Sequence, residues 1–318
     1  MSVTGGSVRR GQGAWLVLVS AAAIVLTVLG GAQVPDPIDL VPSVAEAAAV
    51  PGVLALAQYL LLRSGRIEPG TIGVAGLSAA IVGVNGAEGD GRMLLGVLLA
   101  FAAAMPFALL SGYLALNAGL GYAMVSAATV LIAADQLVLQ VVDRTVNTSA
   151  PLLRTLGGAD LWLPSVFLVA AALFGLVALL RPTSEPMPLT EGEGWLRPTL
   201  LIFLPAFGLS VLAGVLYTAR IQAAIPGGLS RDLLTVCLLG LAAGGCSLRT
   251  GEAHLVDVAV GALFAGSLTT YLAIESVDAA TASLVVAATA VVFVLLDLAR
   301  SSPAPAPDPA PAPVPDPR

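Results

Sequence analysis

Side chains that could carry chemistry are few, and the most informative of them lie close together in one apolar stretch. Asp135 is the one acid well inside a predicted membrane span, and Gln136 and Gln140 follow it four residues apart, on one face of a helix. A carboxylate is costly in hydrocarbon, so it usually faces a bundle interior or a wet cavity. Asp135, Gln136 and Gln140 are therefore candidates for lining a polar passage. The alternative is that they only hydrogen-bond neighbouring helices.

The residue types that common enzymes need are scarce. His254 is the single histidine, and one histidine cannot build a multi-histidine metal site. All 14 basic residues are arginine, so the chain has no lysine for a Schiff base or a phosphate-binding loop. Cys237 and Cys246 are nine positions apart, a spacing of about 13 Å on a helix that excludes a disulfide. We expect no catalytic residues, no metal site and no cofactor, and we interpret the chain as a non-enzyme.

Apolar segments long enough to cross a lipid bilayer recur from residue 14 to residue 298. Between Arg92 and Asp135, 42 residues carry no charge, and Asn117-Ala-Gly-Leu-Gly121 interrupts them near the middle. A spanning helix needs about 20 apolar residues, so this interval predicts two helices joined by a tight turn. Hydrophobic residues make up 57% and charged residues 11% of the chain, and the net charge of −6 gives no electrostatic reason to expect nucleic-acid binding.

The sequence predicts an all-α, polytopic membrane protein with about ten transmembrane helices, one of them short or re-entrant. The predicted spans are residues 14–32, 44–62, 72–84, 93–116, 124–142, 161–180, 198–218, 233–248, 256–273 and 279–298. The third is too short to cross straight through, and Pro69 and Gly70 precede it. Residues 1–13 are expected to be a cytoplasmic amino terminus and residues 14–298 the transmembrane domain. Residues 299–318, rich in proline and alanine, are expected to be a disordered cytoplasmic tail.

Arginine placement predicts the orientation of the helices. With the amino terminus inside and ten alternating crossings, nine arginines fall on the inner side and five on the outer side. This arrangement indicates a multi-pass protein of the plasma (inner) membrane with both termini in the cytoplasm. Arg9 and Arg10, ahead of the first apolar run, are also typical of an export signal. The apolar segments that follow favour a retained first helix.

Several short segments match a known membrane-protein pattern in order and spacing. The first is Ser64-Gly-Arg-Ile-Glu-Pro-Gly-Thr-Ile-Gly73, and the later ones are Ser111-Gly-Tyr-Leu through Ala127-Ala-Thr129, Leu212-Ala-Gly-Val-Leu-Tyr-Thr-Ala-Arg220, Leu238-Leu-Gly-Leu-Ala-Ala-Gly-Gly-Cys-Ser-Leu248 and Gly261-Ala-Leu. Together they resemble the membrane subunits of ATP-binding-cassette importers of the ribose and monosaccharide class, whose relatives import branched-chain amino acids and nucleosides.

The first segment is similar to the family's Ser-Gly-x-Ile-Asp-Leu-Ser-Val-Gly-Ser motif. Ser64, Gly65, Glu68 and Gly73 stand at motif positions, and Glu68 replaces the usual aspartate. The resemblance implies a permease subunit that forms the translocation pathway for a monosaccharide such as ribose. It also implies three partners: a separate ABC ATP-binding subunit, an extracytoplasmic solute-binding protein, and a second permease subunit in a homo- or heterodimer.

The resemblance further implies an inner surface that docks on the ATP-binding subunit. Its inner-loop candidates are Gly244, Gly245, Ser247 and Leu248. The loop from residue 181 to residue 197 departs from the family's docking segment, because it is acidic and prolines at 182, 186 and 188 disfavour a regular helix. A displaced docking surface in this loop has as its candidates Arg181, Glu191, Trp195 and Arg197.

Three other functions stay open. A ten-helix secondary transporter of the drug/metabolite type matches the length and span count, although the two halves of the chain show no convincing similarity. A membrane enzyme acting on a lipid is disfavoured by the absence of clustered acids and histidines. A divergent, non-transporting membrane subunit is favoured only by the unusual docking loop.

Overall fold

The computed structural model describes residues 5–34, 40–62, 66–117, 119–157, 194–227, 229–247 and 254–300. The predicted sixth span, residues 161–180, lies outside these ranges. So do the docking loop up to residue 193 and the tail from residue 301.

Helices account for nearly all of the described chain. They are α1 Gly5–Gly31, α2 Leu40–Leu62, α3 Gly70–Gly86, α4 Asp90–Asn117, α5 Gly119–Val141, α6 Pro151–Leu156, α7 Leu196–Ile221, α8 Leu229–Gly244, α9 Leu255–Ile274 and α10 Ala279–Arg300. α7 contains a π-helical turn at Thr199–Phe203. Two short strands, β1 Val146–Asn147 and β2 Ala223–Ala224, pair antiparallel.

Seven helices in the described ranges are long and apolar enough to cross a membrane, namely α1, α2, α4, α5, α7, α9 and α10. Two further apolar helices, α3 and the Leu233–Gly244 part of α8, are shorter. The predicted class, an all-α polytopic membrane protein, is therefore confirmed. Each predicted span in the described ranges coincides with one of these helices, whereas the total of ten stays a prediction.

One end of the helix bundle carries the two-stranded sheet, and we call it the β end. There Val146 lies opposite Ala224, and the guanidinium of Arg220, at the end of α7, lies 3.0 Å from the Glu46 carboxylate near the start of α2. The carbonyl of Gly86, the last residue of α3, accepts the backbone N–H of Ala150 at 2.9 Å. The connections after α1, α3, α5, α7 and α9 lie at this end.

The opposite end is marked by Trp15, and we call it the Trp15 end. The indole N–H of Trp15 donates to the Ala243 carbonyl at 2.9 Å, and the Arg300 guanidinium lies 4.5 Å from the Trp15 ring centroid. These contacts bring the start of α1 to the ends of α8 and α10. The described connections thus alternate between the two ends, as expected for successive membrane crossings.

α3 is the innermost helix of the described bundle. It packs against α4, α5 and α7, while α2 packs on α7 and α9, α8 on α9 and α10, and α1 on α9. Nearly every α3 residue is buried, from Gly70 to Gly86. With 17 residues α3 spans about 25 Å, and it joins the α2–α3 connection to the β end. The predicted short helix is therefore present as the innermost helix of the described bundle, and whether it crosses the membrane stays a prediction.

Local sequence explains where several helices begin and end. α6 starts with Pro151, whose missing N–H costs nothing in the first turn. α7 ends at Ile221, and the next residue, Gln222, caps the helix. Gln222 adopts a left-handed conformation and donates its N–H to the Thr218 carbonyl at 2.8 Å. At the start of α9, the Asp257 carboxylate accepts the backbone N–H of His254 at 2.9 Å in a capping box. His254 thus has a helix-capping role.

Candidate functional site

The clearest polar constellation surrounds the connection between α2 and α3. The side-chain amide of Gln58, in the last turns of α2, donates to the Glu68 carbonyl at 2.7 Å and to the Thr71 hydroxyl at 2.6 Å. Its carbonyl oxygen accepts the Glu68 N–H at 3.1 Å. The Thr71 hydroxyl also donates to the Glu68 carbonyl at 2.9 Å. Gln58 therefore supplies hydrogen bonds that a helix or strand would otherwise give to this buried, irregular backbone.

Sequence reasoning assigned no role to Gln58 or Thr71. The available signal was that Gln58 is the only glutamine in α2 and follows an apolar run of residues 47–57. In an apolar bundle such an amide needs a partner, because burying it without hydrogen bonds costs free energy. The partners of Gln58 are mainly backbone groups of Glu68. Because every residue has these groups, the sequence contains no pattern that identifies them.

The Glu68 side chain lies in this connection, outside the spanning helices, and is only 3% exposed. Glu68 Oε1 makes no hydrogen bond of good geometry, and neither does the buried Ser111 hydroxyl beside it on α4. Burial raises the pKa of the Glu68 carboxyl to about 7, and the Gly70 N–H and the Ser111 hydroxyl offset part of this rise. Among the described residues, the acid at the entrance to the central helix therefore has no cationic partner.

Close packing of α3 on α5 explains the glycines of this segment. A Cβ on Gly73 would lie 2.9 Å from the Leu131 carbonyl oxygen, and one on Gly70 would overlap Val130. Both positions therefore admit only glycine without a shift of α5. Gly73 has a structural role in the described contacts. Ser64 and Gly65, the other residues of the resemblance at this site, lie outside the described ranges.

The three predicted pathway residues do not share one environment. Gln136 and Gln140 are exposed on α5, on the side away from α3, while Asp135 is half-buried at the edge of the α3–α5 contact. Asp135 has a polar or electrostatic partner. Two amides on the outer surface of an apolar helix are costly in lipid. They therefore indicate a surface that another protein segment or a polar passage covers.

The docking candidates within the described ranges gather at the Trp15 end. Trp195 and Arg197 lie at the start of α7, where the Trp195 ring packs edge-on against Tyr113 with 5.3 Å between centroids. Gly244, Gly245 and Ser247 lie at and after the end of α8. Arg181, Glu191 and Leu248 lie outside the described ranges.

Close contacts explain two of these glycines. A Cβ on Gly244 would overlap the Asp257 carbonyl of α9, and Gly245 has a positive φ of 79° beside Trp15. Their immediate role is thus to let α8 pack against α9 and end beneath α1.

Cavities of different sizes lie among the described residues. One of about 300 Å³ is an open groove at the β end, between α2 and α9. One of about 150 Å³ lies between α8, α9 and α10, where Thr235, Thr269 and Ser283 contribute hydroxyls. Another, of about 10 Å³, lies near β2 between α3, α5 and α7 and is therefore too small for a sugar. No group of three or more His, Cys, Asp or Glu side chains that could hold a metal occurs in the described ranges.

Comparison with known proteins returned no match: no family model, no curated protein and no solved structure is significantly similar to this chain.

Proposed function

We propose that the chain is the membrane-spanning permease subunit of an ATP-binding-cassette importer and that it forms the translocation pathway, with a monosaccharide such as ribose as the solute. The observation that carries the proposal is the segment with the strongest family resemblance, residues 64–73. Its described part leads into a short central helix through buried, irregular backbone that Gln58 supports. Irregular backbone inside a membrane bundle is tolerated where protein covers it, and transport proteins commonly use such interrupted elements.

The exposed amides of α5 support a pathway between two subunits. Gln136 and Gln140 are exposed on one copy, and the cavity beside the central helix α3 measures only about 10 Å³. A second permease subunit facing this surface would cover both amides and enclose a polar seam. Hydroxyl-rich solutes suit a seam lined by amides, since each amide both donates and accepts hydrogen bonds.

The Trp15 end is the proposed cytoplasmic face, because arginine placement favours it. It carries Trp195, Arg197, Gly244, Gly245 and Ser247, the described residues of the proposed docking surface. The ATP-binding subunit docks there, and its nucleotide state biases the alternating opening of the seam. A solute-binding protein delivers the solute at the β end.

The first test is co-purification with any ABC ATP-binding protein that a neighbouring gene encodes. We expect the two proteins to bind and the ATPase turnover to change when this chain is present in proteoliposomes. The variant Arg197→Glu should weaken binding several-fold, because charge reversal at the rim of an interface changes association. Arg92→Glu is the matched control, since Arg92 is an equally exposed arginine at the β end.

The importer proposal fails if the ATPase neither binds nor changes its turnover, or if both arginine variants behave alike. A proton-linked secondary transporter is the second candidate, and the buried, cation-free Glu68 carboxyl favours it. In that case proteoliposomes with this chain alone would take up solute in response to a pH gradient, without ATP.

A further inference from the structure

Three buried oxygen atoms make no hydrogen bond of good geometry to any described residue: Glu68 Oε1 in the α2–α3 connection, Ser111 Oγ on α4 and Ser126 Oγ on α5. The three residues are 3%, 1% and 5% exposed, respectively. Elsewhere in the described core, serine hydroxyls donate to the carbonyl one turn earlier, as Ser78 does to Val74 at 2.7 Å. Unpartnered polar atoms in a dry interior are rare because each costs free energy, so a cluster of them indicates a missing ligand.

The carboxylate faces the pair formed by α4 and α5. Glu68 Oε1 lies 2.8 Å from the point where a Cβ on Gly70 would stand, and the Val130 side chain of α5 borders the same point. Ser126 is one turn before Val130 on α5, and Ser111 on α4 lies beside the carboxylate. The α2–α3 connection and α4 thus present two oxygen atoms to one small region, and Ser126 lies one turn away from the bordering Val130.

No charged side chain of the described residues neutralises Glu68. α3 itself has no ionisable residue. The elements packed around the site carry other ionisable residues, among them Tyr59 on α2, Tyr113 on α4, Tyr122 and Asp135 on α5, Tyr217 on α7, and Arg66 in the connection itself. The only influences on the Glu68 pKa are its burial, the Gly70 N–H and the Ser111 hydroxyl. Arg66 does not pair with it, and Arg66 Nη1 is itself buried without a partner.

We propose that Glu68 is a proton-binding site, in which one proton from solvent bonds to the carboxylate and the new O–H donates to a serine hydroxyl across the contact between the α2–α3 connection and α4–α5. The step removes a buried negative charge and satisfies an orphaned oxygen. Ser111 or Ser126 can accept the hydrogen bond while donating its own hydrogen to a carbonyl of its helix.

A proton fits this site better than a metal cation does. A metal cation needs several oxygen ligands, whereas the described residues here offer one carboxylate and at most two hydroxyls. The test therefore includes sodium, because a sodium ion would compete with protons for the same oxygen atoms.

The test is infrared difference spectroscopy of the purified chain in lipid nanodiscs, titrated from about pH 5 to about pH 9. We expect a carboxylic-acid C=O band that disappears with a midpoint near 7. The band should be lost in Glu68→Gln, whose neutral amide imitates the protonated acid. It should persist in Glu88→Gln, the matched control, because the Glu88 side chain is 63% exposed and pairs with Arg92 at 3.3 Å.

A second variant keeps the test decisive if Glu68→Gln does not fold. Ser111→Ala should shift the midpoint, because it removes the hydroxyl that lies beside the carboxyl in both protonation states. The proposal is overturned if no acid band titrates or if the band survives in Glu68→Gln. It is also overturned if Ser111→Ala leaves the midpoint unchanged, or if adding sodium at fixed pH removes the band. None of these measurements needs the ATP-binding subunit or a solute, so this inference and the importer proposal fail separately.

Discussion

Single residues control how closely the central helices approach one another. Gly214 of α7 lies against the backbone of α3, where a Cβ would overlap the Ala75 carbonyl. Gly208 lies on the same helix, but a Cβ there would lie 3.6 Å from Phe101, an ordinary contact. Both glycines have the same intrinsic cost in a helix. The difference between them therefore isolates packing of α7 against α3.

We predict that Gly214→Ala destabilises the protein and that Gly208→Ala does not. The first substitution forces α7 away from α3, an overpacking cost of about 1 to 3 kcal/mol. The second gains up to about 1 kcal/mol of helix propensity without a clash. Thermal unfolding of both variants in the same detergent measures the difference. Equal midpoints for the two variants would mean that α7 does not approach α3 as closely as the structure has it.

At the scale of elements, the α2–α3 connection depends on one side chain. Gln58 makes hydrogen bonds to the backbone N–H and C=O of Glu68 and to the Thr71 hydroxyl, all of them buried. α3 begins at Gly70, two residues after Glu68, and lies at the centre of the described bundle. The position of the central helix is therefore set by an amide on its neighbour.

We predict that Gln58→Leu is strongly destabilising, because it keeps the volume but leaves buried backbone groups without partners. Each such group costs about 1 to 3 kcal/mol. Gln136→Leu is the control, since Gln136 is exposed on α5 in the single chain. Chemical denaturation of the detergent-solubilised chain, followed by tryptophan fluorescence, should show a large loss for the first variant and little change for the second. Similar losses in both would contradict the assigned role of Gln58.

At the scale of the whole molecule, the described connections alternate between the β end and the Trp15 end. Asp143 lies in the connection after α5, at the β end, and Ala299 lies near the end of α10, at the Trp15 end. Both residues are exposed. The native cysteines, Cys237 and Cys246, are free and buried, so they should give little background in thiol labelling.

We predict that Asp143→Cys and Ala299→Cys react from opposite sides of the membrane. A membrane-impermeant maleimide applied to intact cells should label the first variant and should label the second only after permeabilisation. Labelling of both from one side would contradict the alternating fold. A reversed pattern would leave the fold intact and overturn only the proposed orientation.

The sequence by itself determined the class of this protein and the positions of its described helices. Apolar length is a local property, because about 20 apolar residues suffice for a crossing whatever their neighbours are. The sequence also predicted that the third helix is short, because Pro69 and Gly70 limit it at one end. The sequence identified Asp135 and the glutamines of α5 as polar residues in an apolar run. It did not show that Asp135 is half-buried while the glutamines are exposed.

Only the tertiary structure decided that α3 is the central helix, that Gln58 supports its entrance, and that Glu68 is buried without a cation. The physical reason is that lipid and protein interior are both apolar, so a membrane helix has no hydrophobic face to show which side packs inward. Which side chains meet depends on contacts between distant segments, such as Gly73 with α5 and Gly214 with α3. Those contacts are non-local and leave no period in the sequence.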